Sequence, residues 1–228
     1  MNNKLFFLIL EFYLINSINC QAVITWSFGS YLFPINKSLE FEVTVLSPTK
    51  PGIYPVVFFL TGYTGLFPEI VYKELLTEIS TFEKQNRIII SFDKFGMIHL
   101  PIKEETLFEM TLNWTIDNLK GIFNCNKTPD IIKSKVFPSI DSNGYTIMSH
   151  SAGAHPTCSY VAKHCNQIKK IVWLDPVDGY DPTEIVKEFC TNPPQQLPFQ
   201  VPTLIISTGL DNFPPSPVQG ACKFFLNY

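Results

Sequence analysis

The stretch GYTIMSHSAGAHPTC, residues 144–158, decides the fold. It begins as an apolar run typical of a buried strand and passes through Ser149-His150-Ser151-Ala152-Gly153 into small residues that open a helix. A serine on such a sharp strand-to-helix turn is exposed, and small residues flank it because the turn is crowded. Ser151 is therefore the candidate nucleophile, with Gly153 on one side and Ser149 standing where glycine is usual on the other.

Strand-like and helix-like segments alternate along the rest of the chain. Residues 41–46 alternate apolar and polar side chains and predict a half-buried edge strand. Continuous apolar runs predict buried strands at residues 55–60, 87–93, 145–148, 170–176 and 202–207. Apolar residues at helical spacing fill residues 72–82 and 107–119. The sequence thus predicts an α/β fold with a mostly parallel, doubly wound sheet and helices on both faces.

Reactive groups in such a sheet gather at the carboxyl ends of the strands. The turn after residues 55–60 places the backbone N–H of Tyr63 where it would pair with that of Ala152 as an oxyanion hole. Two acids follow the serine at strand ends, Asp175 and Asp211, in the chain order Ser before Asp. These residues are expected to converge on Ser151 in one crevice.

Four pieces of the sequence resemble the chlorophyllases, a family of α/β-hydrolases in a wider group with polyester hydrolases and platelet-activating-factor acetylhydrolase-like enzymes. They are residues 54–63, 149–153, 174–179 and 201–206, and the run LDPVDG at 174–179 is the most specific. The resemblance covers residues 40–228. It implies a serine hydrolase of lipophilic carboxylic esters that needs no metal or cofactor. It also implies that Ser151 is the nucleophile and Asp175 the preferred triad acid, while Asp211 matches the acid of the polyester-hydrolase branch.

The triad histidine of that family lies beyond the last strand, yet no histidine follows Asp211 before the sequence stops at Tyr228. We expect His150 to point away from the site, and the other three histidines to be poor substitutes: His99, His155 and His164. Three interpretations stay open: a truncated chain that lacks a final helix and strand, a catalytically dead relative, and a partner that completes the site. A dead relative would bind a lipid or a tetrapyrrole without cleaving it.

The first 20 residues predict a secretory signal peptide, because Lys4 precedes an apolar run from Leu5 to Ile15 and small or polar residues follow. Residues 21–228 are then expected to form a single domain in a secreted or endomembrane-lumen protein. Three sequons predict a glycoprotein, at Asn36, Asn113 and Asn126. The chain has 6 cysteines, and we expect one or two disulfides in that compartment.

Charge and hydropathy exclude some classes of partner. The formal net charge is -3 and the basic residues are scattered, so no nucleic-acid partner is expected. The amino-terminal apolar run is too short for a stable membrane span. The expected partner is a small lipophilic ester, and the sequence leaves the oligomeric state open.

Overall fold

The structure is a computed structural model that describes residues 21–28, 41–62, 69–81, 86–92, 104–126, 128–140, 144–177 and 199–206. Its strands, in chain order, are β1 (Gln21–Phe28), β2 (Phe41–Pro48), β3 (Gly52–Leu60), β4 (Ile88–Phe92), β5 (Val136–Ser139), β6 (Tyr145–His150), β7 (Ile168–Leu174) and β8 (Thr203–Ile206). The helices are α1 (Glu69–Thr81), α2 (Glu104–Ile122) and α3 (Ala154–His164), with short 3-10 turns at Ser151–Gly153 and Cys165–Gln167.

The strands form one sheet in the order β1-β2-β4-β3-β6-β7-β8, with β5 beside β3. The central and later pairings are parallel, from β4 through β3, β6 and β7 to β8. Only the first two pairings, β1 with β2 and β2 with β4, are antiparallel. The predicted mostly parallel sheet is confirmed.

Helices cover both faces of this sheet because successive strand residues point to opposite sides. On one face, Val57 and Phe59 of β3 pack with Tyr72 and Leu76 of α1. On the other face, the alternate β3 residues pack into a larger core that includes residues of α2 and α3, such as Phe108 and Tyr160. The predicted double layer of helices is therefore confirmed, with α1 alone on its face among the described helices.

The expectation that residues 41–46 form a half-buried edge strand is wrong. β2 lies between β1 and β4, and its Val43, Val45 and Leu46 side chains are 0% exposed. Thr44, on the supposed solvent face, is only 4% exposed. The alternation of polar and apolar residues indicated a solvent-exposed face, but the polar residue Thr44 is buried like its apolar neighbours.

Some predictions fall on parts of the chain that the structure does not describe. The signal peptide at residues 1–20 and the carboxyl-terminal residues 207–228, after which a final helix and strand are expected to be lacking, lie outside the described residues. Among the helices that are described, none has both the length and the apolarity to cross a membrane.

Candidate active site

Three neighbouring strands end at one level. In the parallel register Leu60 lies opposite Ser149, so Gly62, two residues on, is level with Ser151. His150 lies opposite Leu174, so Ser151 is level with Asp175. The carboxyl edge of the sheet therefore brings Gly62, Ser151 and Asp175 side by side, as the sequence predicts for the last two.

Ser151 occupies a strained backbone position. His150 before it is extended, with φ -122° and ψ 144°, and Ser151 itself has φ 49° at the start of the 3-10 turn. A residue other than glycine in this left-handed region costs about 1–3 kcal/mol and persists where the surrounding structure imposes it, often at functional sites. This is the geometry that a nucleophile elbow requires.

Gly153 lets the elbow approach the end of β3. A Cβ on Gly153 would lie 2.5 Å from the carbonyl oxygen of Thr61 and 3.0 Å from that of Leu60. Both atoms belong to the backbone, so neither can move aside cheaply. The glycine is therefore required by the close contact between the start of α3 and the carboxyl end of β3.

Ser149, the departure from glycine on the other side of the elbow, is accommodated by a buried polar network. Its side chain is 0% exposed, and its Oγ lies 3.0 Å from Thr157 Oγ1 on α3. The indole N–H of Trp173 on β7 donates to the same Thr157 oxygen at 3.1 Å. The Thr157 hydroxyl in turn donates to the backbone, 2.9 Å from the Ala154 carbonyl oxygen. The serine hydroxyl thus has a partner, and three elements of the site are joined.

The predicted oxyanion donors are described in part. Ala152 follows Ser151 in the 3-10 turn and is 5% exposed. Tyr63 lies outside the described residues, but Gly62 before it is described, and a Cβ on Gly62 would lie 3.2 Å from the Ser151 Cβ. Gly62 therefore lies in contact with Ser151, the candidate nucleophile.

Asp175 is the candidate acid that the structure describes. It has φ 45°, and its N–H donates to the Ile206 carbonyl 2.6 Å away, which extends the β7–β8 ladder. Two residues later the N–H of Val177 donates to the carbonyl oxygen of Ser151 at 2.9 Å. The loop after β7 is thus bonded to the elbow, while Asp211 lies outside the described residues.

The histidines near the elbow have other partners. His150 does not simply turn away from the site: its Nδ1 lies 2.7 Å from the Tyr72 hydroxyl, beside Gly62. Burial lowers the pKa of His150, and the nearby Asp175 carboxylate opposes this shift. His155 Nε2 lies 2.6 Å from Glu105 Oε1.

His164 completes the set of described histidines, and its Nε2 lies 2.9 Å from a carboxylate oxygen of Glu109. His99 lies outside the described residues. Within the part of the chain that the structure describes, no histidine is hydrogen-bonded to Ser151. The described residues also contain no group of three or more His, Cys, Asp or Glu side chains placed to hold a metal.

Sequence reasoning missed two partners at this edge. Tyr72 was an apolar position in a helical pattern, and Glu105 carried no signal at all. Both contacts join residues far apart in the sequence, and the Tyr72–His150 pair is 78 positions apart. A helical periodicity indicates that Tyr72 is buried, but it cannot indicate the hydrogen-bond partner of its hydroxyl.

Comparisons with known proteins show the family and the fold of the chain. A family model described as Chlorophyllase matches residues 33–223. No curated protein matches the chain significantly. Among solved structures, a candidate carboxylesterase from Lactobacillus plantarum is similar with a TM-score of 0.60 at 11% identity, over 91% of this chain and 82% of that one.

Two further structures cover less of their own length. A thermostable esterase from Pseudomonas putida is similar with a TM-score of 0.51 at 12% identity, over 73% of this chain and 47% of that one. A ferulic acid esterase is similar with a TM-score of 0.48 at 18% identity, over 68% of this chain and 60% of that one. The chain thus spans less than two thirds of these two proteins. At such identities the two structures with TM-scores of 0.60 and 0.51 show a shared fold alone, that of the α/β-hydrolases.

Proposed function

Because the chain belongs to the chlorophyllase family, we propose that it is a carboxylic ester hydrolase whose nucleophile is Ser151. The observation that carries the proposal is the strained backbone of Ser151, with φ 49°, at the carboxyl edge of a parallel sheet. Ser134 has φ 58° in an exposed turn, so the conformation gains its weight from the place of Ser151, at the strand ends where the reactive groups of such sheets gather. Gly62, which precedes the proposed oxyanion donor Tyr63, and Asp175, the proposed triad acid, lie level with Ser151 and support the same proposal.

The proposed reaction is acyl transfer. The Ser151 oxygen attacks the ester carbonyl, and the backbone N–H groups of Ala152 and Tyr63 stabilise the oxyanion. The alcohol leaves, and water then hydrolyses the acyl-enzyme. A base must take the serine proton, and Asp175 would orient that base as the triad acid, with Asp211 as the alternative. The chemistry calls for no metal or cofactor.

A lipophilic ester is the proposed substrate class, on the strength of the family alone. A series of p-nitrophenyl esters with acyl chains from acetate to octanoate tests it on the full 228-residue chain. We expect kcat/KM to rise with chain length, since each buried methylene contributes about 0.8 kcal/mol. A preference for acetate would contradict the substrate class and leave the reaction type intact.

The second candidate function is binding without cleavage, of a lipid or a tetrapyrrole. It is favoured by one observation, that no described histidine is hydrogen-bonded to Ser151. A triad enzyme without its base keeps only the small rate that the oxyanion hole and binding supply.

Labelling by a fluorophosphonate probe separates the two functions. We expect the wild-type chain to be labelled at Ser151 and the Ser151→Ala variant to be unlabelled, with the modified peptide identified by mass spectrometry. Equal, poor labelling of both proteins would contradict the esterase proposal. Saturable binding of a lipid or a porphyrin to both proteins would then support the binding module.

We also propose that the protein is exported and glycosylated. Asn126 supports this, because it is exposed in the turn after α2. Asn113 differs, because it lies inside α2 and its side-chain oxygen accepts a hydrogen bond from Tyr160 at 3.2 Å. We expect expression in a secreting eukaryotic cell to give a glycan at Asn126 and a lower occupancy at Asn113. Peptide mapping checks this, and an unmodified, cell-retained product would contradict export.

Disulfide bonding belongs to the same proposal. Among the described cysteines, Cys125 and Cys165 are not in a disulfide. Cys158, fully buried in α3, differs from these two. We propose that it pairs with a cysteine outside the described residues, and a non-reducing peptide map of the secreted protein tests this.

A further inference from the structure

Three groups from different parts of the chain converge on Gly62. A Cβ on this glycine would lie 2.9 Å from His150 Nδ1, 3.2 Å from the Ser151 Cβ and 3.2 Å from the Tyr72 hydroxyl. Gly62 begins the turn after β3, Tyr72 lies on α1, and His150 ends β6. The hydroxyl of Tyr72 and the ring of His150 are therefore immediate neighbours of the nucleophile position.

A hydrogen bond joins the two side chains across this point. The Tyr72 hydroxyl lies 2.7 Å from His150 Nδ1, and the two ring centroids are 5.4 Å apart. Tyr72 is only 7% exposed, so water competes little for the bond. The Tyr72 ring also packs edge-on against Phe59, with centroids 5.1 Å apart. Because Phe59 belongs to β3, Tyr72 is held both by the strand that leads into the Gly62 turn and by the strand that leads into Ser151.

We propose that Tyr72 and His150 are positioning residues for the attack by Ser151. Their hydrogen bond holds Gly62, just past the end of β3, against the elbow that carries Ser151. This inference rests on the proposed function, and it adds the contacts that fix the distance between Gly62 and the nucleophile. The two side chains act through Gly62 and the backbone of Ser151.

Rate depends steeply on such a distance. Removing one oxyanion donor costs about 100- to 1000-fold in rate, and a misplacement of about 1 Å costs about 100-fold. Losing the Tyr72 hydroxyl leaves the Phe59 contact and the α1 core in place, so we expect Gly62 to shift only in part. We therefore expect a loss of about tenfold in the maximal rate of serine modification.

The test measures fluorophosphonate labelling of the full chain over a range of probe concentrations. Tyr72→Phe is expected to lower the maximal labelling rate about tenfold while the half-saturating probe concentration stays the same. Tyr54→Phe is the matched control, because Tyr54 also loses a hydroxyl, one bonded to the Lys50 carbonyl at 2.9 Å at the other end of β3. The control is expected to label within about twofold of wild type.

A second pair of variants guards against loss of folding and separates positioning from a merely structural contact. His150→Asn keeps a short acceptor for the Tyr72 hydroxyl, whereas His150→Leu fills the space without one. We expect the Asn variant to label faster than the Leu variant, each rate being expressed per folded molecule after a circular dichroism melt. If Tyr72→Phe does not fold, this pair decides the question.

The outcomes are distinct. Wild-type labelling at Ser151 with a Tyr72→Phe rate equal to wild type overturns the positioning role and leaves the esterase proposal standing. Equal rates for His150→Asn and His150→Leu have the same meaning. A wild-type chain that is not labelled at Ser151 overturns both the proposed function and the positioning role. A slowed Tyr72→Phe with an unchanged control supports both.

Discussion

The two histidines that flank Ser151 belong to opposite faces of the sheet. His150 contacts the α1 side, where its partner is the neutral hydroxyl of Tyr72 at 2.7 Å. His155, four residues after the serine, contacts the α2 side, where its partner is a carboxylate oxygen of Glu105 at 2.6 Å. The first pair borders Gly62 and the candidate nucleophile, and the second joins the first turns of α2 and α3.

Two histidines five positions apart in the sequence therefore have different roles. A bond to a hydroxyl beside Gly62 adjusts the site and contributes modestly to stability. A charge-assisted bond between two helices contributes to stability and leaves the site unchanged if it is weakened. The following predictions break or sharpen the comparison, from the largest expected effect to the smallest.

Gly153 lies where the start of α3 contacts the end of β3, so its substitution is expected to lower the stability more than any other change proposed here. In Gly153→Ala the new Cβ would lie 2.5 Å from the Thr61 carbonyl oxygen, and the start of α3 must move away from β3. We expect a loss of about 3 kcal/mol in the free energy of unfolding, measured in urea. The control is Gly121→Ala, because a Cβ on Gly121 in α2 meets nothing within 4 Å.

Gly121→Ala is expected to stabilise the protein by about 0.5–1 kcal/mol, since alanine favours a helix over glycine. Gly153→Ala as stable as wild type would mean that the contact between α3 and β3 is not tight.

Glu105→Gln tests the α2 side. The change removes the charge from a pair whose side chains are only 9% and 15% exposed, so we expect a loss of about 1–2 kcal/mol in unfolding free energy. Glu109→Gln is the matched control, because both partners of Glu109 are more exposed, Lys163 at 55% and His164 at 24%, and surface ion pairs contribute about 0–1 kcal/mol. Labelling of Ser151 per folded molecule is expected to stay at the wild-type rate in both variants. A slowed rate in Glu105→Gln alone would place the α2 side in the machinery of the site.

On the α1 side of the sheet, the stability contributed by His150 is expected to depend on pH. Burial lowers the pKa of folded His150 below its ordinary value of 6.5, and Asp175 offsets only part of that shift. The unfolded chain therefore binds the proton more readily than the folded one. The stability that neutral His150 contributes is complete above pH 6.5 and is lost as the pH falls through the folded pKa.

Comparison with His150→Asn isolates this effect, because every other titrating group is shared. We expect the difference in unfolding free energy between the two proteins to shrink as the pH is lowered from 7.5 to 5 in urea titrations. A difference that grows on acidification would show that His150 is charged in the folded protein.

Much of the fold could be predicted because the parallel strands are buried on both faces and so read as continuous apolar runs. β1 and β5 escaped prediction for different reasons. β5 has four residues, contains Pro138 and pairs only with the first half of β3. β1 mixes polar and apolar residues and directly follows the predicted signal peptide.

The site divides in the same way. The position of Ser151 and Asp175 at the carboxyl edge could be predicted because their signals are local: each ends a strand run and is followed by small residues, proline or glycine. The partner of His150 could not, because the Tyr72 hydroxyl reaches it only through the packing of α1 on β3. The tolerance of Ser149 could not be predicted either, since it depends on Thr157 lying within 3.0 Å across the start of α3.

The strained φ of 49° at Ser151 also makes the serine a reporter of folding. While β6 is unpaired, no contact fixes this dihedral angle, so Ser151 relaxes to negative φ. Its hydroxyl then no longer has the orientation that the elbow imposes. The proposed reactivity of Ser151 is therefore expected to return only when β6 is paired with β3 and β7 and α3 is packed against the end of β3. In refolding from urea, timed pulses of fluorophosphonate would date the assembly of the central sheet at a single atom, whereas far-ultraviolet circular dichroism responds to helices that form earlier or later.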